Sequence, residues 1–222
     1  SDIGVTTKLV EVSLTKLEME TGIKLEWAAN NELTADKLQA TVAGLRQRSS
    51  RVSGAGQTSP AADAEEFLDA MIRSNIAKEW TSAGEITATG QPNRLVVGGL
   101  ESTESHDGVR RTQSSNQMSF YAMARDEGRI ALDLRARLTI QGEVLGPDDA
   151  WQPAHPVRQQ EWQVATMQVA GKPTIWMGAI EEQTVAVEKR TWYGGTTIEE
   201  RVTHIGTMLV VTAEMKEPRQ RR

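Results

Sequence analysis

The residues able to do chemistry are few and dispersed. Cysteine is absent, which removes disulfides, thiolate catalysis and zinc-cysteine sites together. The three histidines, His106, His155 and His204, lie in different segments, and none is spaced from another as metal-ligating pairs are. Ser105, His106 and Asp107 have the residue types of a hydrolytic triad, but a triad is assembled across a fold, and consecutive loop residues point apart. The carboxylate pairs Asp148-Asp149, Glu181-Glu182 and Glu199-Glu200 could supply an acid and a base. Each sits in what reads as a solvated loop or strand end, with no desolvating neighbour to raise a pKa. Gly98-Gly99 lacks the third glycine, the lysine and the following helix of a phosphate-binding loop. The sequence therefore assigns no catalytic residue, no metal ligand and no cofactor, and the expectation is a protein that is not an enzyme.

Six tryptophans stand against two Phe and two Tyr. Trp27, Trp162 and Trp176 lie on strand-like stretches, where core or sheet-face packing accounts for them. Trp151 and Trp192 lie in or beside loops containing glycine and proline, where an indole can anchor an interface or meet a neighbouring subunit.

The elements that must position these residues are long and mostly β. A chain of 222 residues can bury a core of its own, and residues 1–222 read as one domain. It is 38% hydrophobic and 25% charged, and no apolar run approaches the roughly 20 residues of a spanning helix. Membrane contact would need strands or another chain. A net charge of -5 gives no basic footprint, so no nucleic-acid partner is expected. The chain opens on Ser1 without an initiator Met or a leader-like segment, which suits a processed protein or an excised piece.

In "TKLVEVSLTKLEMETGIKLEW" an extended stretch gives way to a short helical spacing of Leu14, Leu17 and Thr21. Gly22 then punctuates, and Ile23, Leu25 and Trp27 alternate as a second strand would. Residues 48–62 read as a Ser/Gly/Pro-rich loop, with Ser59 as cap and Pro60 at the first position of a helix running from about Ala62 to Trp80. That helix should pack on a sheet through Phe67, Met71 and Ile72. Beyond Gly84, two short runs flank a turn at Gly90-Gln91-Pro92-Asn93. A hairpin follows from Met118 to Ile140, turning at Asp126-Glu127-Gly128. Its second strand puts Ile130, Leu132, Leu134, Ala136, Leu138 and Ile140 on one face and Asp133, Arg135, Arg137 and Thr139 on the other. "EWQVATMQVA" and "TIWMGAI" flank Gly171-Lys172-Pro173, "GTMLVVTAEM" reads as the closing strand, and residues 216–222 read as a solvated tail. Residues 101–117 read as a polar loop, as does "GPDDAWQPAHPVRQQ".

In this order the elements resemble the core domain of the secretins, ring-forming proteins of bacterial type II and type III secretion and type IV pilus systems. "LVEVS" and "TGIKLEW" look like the family's Glu-Val strand and its glycine turn into a strand closing on Trp. "ATGQPNRLVVGG" is similar to its Asn-Gly-Gln-Pro turn and following strand, and "SFYAMARDEGRIALDLRARLTI" to its Asp-Gly hairpin. "VATMQVAGKPTIWMGAI" is similar to its Val-x-Asp-Gly-x-Thr hairpin into Gly-Gly-Leu, with Gly171 and Gly178 in place and Ala179 where the second glycine would stand. "IGTMLVVTAEM" matches the last strand. Where the family carries an amphipathic membrane-interface segment, this chain has the charged "EEQTVAVEKRTWYGGTTIEERV", in which Trp192 and Tyr193 look interfacial.

The resemblance implies a mainly β, α+β fold with one or two helices, whose long amphipathic hairpins contribute to a multi-subunit, double-walled β-barrel. It implies a homo-oligomeric ring of many copies in the bacterial cell envelope, at the outer membrane or its periplasmic side. Such a ring is a channel or collar for large substrates and meets other envelope or secretion components. The competing expectation is a soluble envelope α+β binding module that forms no pore. In the ring reading Asp133, Arg135 and Arg137 belong to the barrel wall, and Trp151, Trp192 and Tyr193 are candidate interfacial aromatics. Gly22, Gly128, Gly171 and Gly178 are hairpin-turn glycines, and residues 101–117 are the gate-like loop. The lipid-facing candidates are a hairpin near Leu38 to Leu45 and the segment around Trp192. Both offer thin apolar cover, so the ring is expected to touch or cap the outer membrane, or to stand in another envelope layer, without a full lipid-facing band.

Overall fold

The computed structural model describes residues 2–53, 62–96, 101–106, 109–114, 116–140, 143–146, 148–153 and 158–216. Strand β1 (Asp2–Ser13) leads into helices α1 (Leu14–Thr21), α2 (Ala35–Ser53) and α3 (Ala64–Arg73). Then follow β2 (Ala77–Ala88), β3 (Pro92–Val96), β4 (Glu101–His106), β5 (Val109–Ser114), β6 (Gln117–Ala124) and β7 (Arg129–Ile140). The chain continues through β8 (Glu143–Leu145), β9 (Trp151–Pro153), β10 (Arg158–Val169), β11 (Thr174–Arg190) and β12 (Thr196–Lys216). The fold is mainly β with helices at one side, an α+β protein, and it has three α-helices among the described residues.

Two four-stranded antiparallel sheets, ordered β11-β12-β1-β2 and β10-β7-β6-β3, form the body. They pack face to face through one apolar core. The alternation in β7 accounts for this, because Ile130, Leu132, Leu134, Ala136, Leu138 and Ile140 are all buried against the first sheet's Ile3, Val5, Leu9, Leu209 and Val211. The opposite face of the first sheet carries Val10, Val12, Ile175, Met177, Met208 and Val210, and the three helices cover it. The order is therefore helices, sheet, sheet. With apolar residues on both faces, the middle sheet reads as near-continuous hydrophobic runs such as Met208–Val211.

Helix α1 is capped by Ser13, whose hydroxyl accepts from the Lys16 amide at 3.3 Å, and ends at Gly22, where φ is +71°. Several expectations are corrected here. The segment Leu38–Leu45 is no hairpin. It lies within α2, with Leu38, Val42 and Leu45 buried at helical spacing, and the helix continues through Ser53 into the stretch read as a loop. Helix α3 starts at Ala64, with Asp63 accepting from the Glu66 amide at 2.9 Å, and it stops at Arg73. Ser59 and Pro60 lie outside the described residues. Asn75, at φ +54°, turns the chain so that Ile76 is a buried turn residue and Trp80 belongs to β2. Phe67 and Met71 are fully buried, whereas Ile72 is 40% exposed. Ile23 to Trp27 keeps its alternating burial but joins no ladder. Residues 101–106 and 109–114 pair as an antiparallel hairpin, β4-β5, where a polar loop was expected.

The turns at Gly90 and Gly171 do not make hairpins. Each carries the chain from one sheet to the other: β2 and β3 belong to different sheets, and so do β10 and β11. Each flank of the sandwich is consequently a stacked pair of edge strands, β3 beside β2 on one side and β10 beside β11 on the other.

Candidate assembly surfaces

The outward face of the second sheet holds the expected wall residues. Asp133, Arg135 and Arg137 are exposed on β7, and Arg135 Nε lies 3.8 Å from Asp133 Oδ1. Register places Tyr121, Ser119 and Gln117 of β6 beside them on one side, and Ala165, Gln163 and Glu161 of β10 on the other. This face is polar because every second residue of β7 is committed to the core, leaving the alternate positions to water.

Both flanks present strand edges with no strand beyond them among the described residues. The exception is the start of β11. There the Asn30 amide donates to the Met177 carbonyl at 2.7 Å, Leu33 to Ile175 at 2.8 Å, and Met177 back to Asn31 at 3.0 Å. Asn30 Oδ1 also accepts from the Gln163 amide of β10 at 3.1 Å.

Beyond Ile205, where β1 ends, β12 pairs only with β11. The result is a two-stranded ribbon whose outer part stands without a third strand, reaching Arg190 and Thr196 at its end. Its base is held by Thr15, whose hydroxyl accepts from the His204 amide at 2.8 Å, and by Val185 packing toward Val144 and Ile205. Past the base both faces carry charge, with Glu182, Glu188 and Glu200 on one and Lys189, Glu199 and Arg201 on the other. At the tip Trp192 is 85% and Tyr193 78% exposed, with ring centroids 3.8 Å apart. The segment expected as an interfacial loop around Trp192 is thus mostly strand, with the aromatics confined to the turn.

Trp151 has a different setting. Half-buried in β9, it donates from Nε1 to Asn75 Oδ1 at 2.8 Å, while Asn75 Nδ2 donates to the Asp149 carbonyl at 2.7 Å. Lys16 Nζ reaches Asp149 Oδ1 at 2.9 Å. The β8-β9 hairpin is in this way clipped across to α1 and to the turn after α3.

Of the four glycines expected at turns, Gly22, Gly128 and Gly171 have φ of +71°, +68° and +79°. Gly178 is a correction. It lies inside β11 beside a register shift between Met177 and Ile180, and its small size matters more than its dihedrals. A Cβ there would lie 2.7 Å from Trp162 Cζ2 and 2.8 Å from the Thr207 carbonyl oxygen, and the Gly178 carbonyl accepts from Trp27 Nε1 at 2.7 Å. The Trp27–Gly178 contact was signalled only by a tryptophan at the end of an alternating run.

Among the described residues no group of three or more His, Cys, Asp or Glu is arranged to hold a metal ion, and no helix is long and apolar enough to cross a membrane. His204 Nε2 faces Glu182 Oε1 at 3.2 Å on the ribbon, His106 lies in β4, and His155 falls outside the described residues.

Neither a protein-family model nor a curated protein matches the chain. Solved structures of secretins are similar to it. Against the pilotin-secretin AspS-GspD complex of enterotoxigenic Escherichia coli the identity is 8% and the TM-score 0.42, with 96% of this chain aligned to 49% of that one. Against the type II secretin GspD of enteropathogenic Escherichia coli the figures are 8%, 0.44, 98% and 69%. Against the Vibrio cholerae type IV competence pilus secretin PilQ they are 12%, 0.41, 96% and 60%. The chain spans about half the length of the first of these.

Proposed function

We infer that this chain is the repeating subunit of a homo-oligomeric, secretin-like ring in the bacterial cell envelope, a channel or collar through which large substrates pass. The observation that supports this most directly is the pair of double-layered flanks, which among the described residues carry no further strand and are covered only where Asn30 to Leu33 line the start of β11. Exposed strand edges are templates for pairing, and monomeric proteins blunt or cover them. Here the two flanks are complementary. In each sheet four antiparallel strands leave the first and last running in opposite directions. A neighbour's β11 beside β2, and its β10 beside β3, continues the antiparallel pattern in both layers at once. Such a head-to-tail contact is heterologous, and it closes into a ring when the rotation per subunit divides the circle. The collinear sequence motifs support the same reading.

In that ring the second sheet's outward face, with Asp133, Arg135 and Arg137, forms one wall and the helices cover the other. The β4-β5 hairpin occupies the gate-like position between β3 and β6. Other envelope or secretion components are its partners, and nucleic acid is not. Negative-stain imaging of the purified chain, with a mass measurement under mild extraction, tests this. Rings with a central opening are expected, and a population of monomers alone refutes it.

A further inference from the structure

The outward face of the second sheet holds a cleft that the ring reading uses only as wall. Register aligns its side chains in rows across the strands. Arg94, Ser119, Arg135 and Gln163 form one row, and Pro92, Tyr121, Asp133 and Ala165 form the next. Ser119 is small, so a depression opens over β6 between the two arginines, with Tyr121 and Asp133 along its side. Strands stand about 4.8 Å apart, which puts the bases of Arg94 and Arg135 about 10 Å from each other with Ser119 between them. Both arginines are exposed. Arg135 Nε lies 3.8 Å from Asp133 Oδ1, beyond hydrogen-bond distance, and Arg94 makes no ion pair among the described residues. From the Tyr121 row to the β4-β5 end, the described residues of this face carry Arg94, Arg135 and Arg137 against Asp133 and Glu161. The surplus is cationic on a chain whose net charge is -5.

We propose that this cleft binds an acidic polysaccharide, with Arg94 and Arg135 taking the carboxylates of its uronate units and Tyr121, Ser119 and Gln163 meeting its sugar rings and hydroxyls. Every cation of the cleft is an arginine, whose planar fork pairs a carboxylate through two parallel hydrogen bonds. Ser119 between the arginines and Gln163 beside them are neutral groups that both donate and accept, which is what sugar hydroxyls require. The Tyr121 ring, 37% exposed, offers an apolar face next to them. An acidic protein segment is the less apt occupant, because protein interfaces rest on apolar anchors buried near their centre. The exposed Met167 and Val169 lie outside the cleft, past the Tyr121 row towards the Gly128 turn. All the cleft residues come from one subunit, so binding requires no assembly. That such a polysaccharide is a substrate passing along the wall rests on the ring reading.

The test is calorimetric titration of the full chain with a hexauronate cut from alginate, and in parallel with a neutral glucan hexamer and with hexaglutamate. Wild-type protein is expected to bind the hexauronate, and each of the other two about ten-fold more weakly or less. Arg94→Gln should weaken hexauronate binding about ten-fold, at unchanged melting because the side chain is exposed. Tyr121→Ala should weaken it several-fold. Arg129→Gln is the control, since it removes the same charge from β7 beside the turn, where Glu127 already holds the guanidinium at 2.6 Å. Its affinity should stay within about two-fold of wild type. Absence of hexauronate binding overturns the proposal, as does equal affinity in Arg94→Gln and Arg129→Gln. Hexaglutamate bound as tightly as hexauronate also overturns it, making the face a contact for acidic protein. Negative-stain images of the titrated samples keep the two readings apart: binding without rings upholds the cleft and removes the channel, and rings without binding remove the cleft alone.

Discussion

Gly178→Ala should damage the seam between the two sheets without touching any exposed surface. The added methyl would lie 2.6 Å from Gln160 Oε1, 2.7 Å from Trp162 Cζ2 and 2.8 Å from the Thr207 carbonyl oxygen. Two of these neighbours cannot retreat easily, since Trp162 is buried and the Thr207 carbonyl is backbone. Overpacking of this kind costs about 1–3 kcal/mol. Gln160 could give way only by weakening its bond from the Ala179 amide, now 2.9 Å, which adds about 0.5–1.5 kcal/mol. The sum is about 1.5–4.5 kcal/mol, or a fall in Tm of about 3–18 °C for a chain of this size. Urea and thermal unfolding of the full chain, followed by circular dichroism, measure it. Gly171→Ala is the companion variant: a Cβ there meets nothing within 4 Å, so only the left-handed φ of +79° is penalised, at about 1 kcal/mol. If Gly178→Ala melts within a degree of wild type, or no lower than Gly171→Ala, the seam is not packed as described.

Met71→Asp puts an unpaired charge into the layer between α3 and the middle sheet and should cost about 3 kcal/mol or more; near-unchanged melting would mean that α3 does not brace that sheet. Asn75→Gly removes the two hydrogen bonds that Asn75 contributes to the β8-β9 clip while tolerating φ +54°, and should cost about 1–2 kcal/mol. Asn75→Ala should cost about 1 kcal/mol more, because alanine also resists the left-handed conformation, and equal unfolding midpoints for the two would contradict that backbone assignment. Arg135→Glu, on an exposed wall position, should leave melting within about 0.5 kcal/mol of wild type and reduce ring yield in negative stain. Rings in wild-type number would count against placing Arg135 in the ring wall.

The parts of the fold legible in the sequence were those where one period dominated. Ile130 to Ile140 admits only period two, and β7 with its Asp-Glu-Gly turn stands where that pattern places it. The stretch from Leu38 to Leu45 admits both periods: Leu38, Ala40, Val42 and Gly44 alternate, while Leu38, Val42 and Leu45 share a helical stripe. Tertiary context decides, and the helix wins because the apolar underside of the middle sheet needs cover. Trp80 continues the stripe of α3 by coincidence, and Asn75, a residue type that tolerates the left-handed turn, breaks it. The β4-β5 hairpin has no apolar alternation to read, since polar strands are held by backbone pairing. Sheet membership at Gly90 and Gly171 was beyond any local pattern, because a turn that joins two strands looks the same whether they pair or part. Asp133, Arg135 and Arg137 were legible as an exposed stripe on β7. The free flanks were not, since an edge is defined by what fails to pair with it.

The middle sheet also dictates an order of folding. β1 sits between β12 and β2, and its rungs with β12 join residues from opposite ends of the chain, Ile3 with Met215 and Val12 with Gly206. Strand pairing over such separations is slow, because the loop must close before its contacts reward it. The β6-β7 hairpin and its partner β10 lie close together in the chain and can assemble early, with their apolar side bare. A nascent chain therefore waits with half of its sandwich exposed until its last long strand is synthesised. During that interval its unpaired edges are open to partners from other copies, and the concentration of nascent chains sets the competition between correct closure and entanglement.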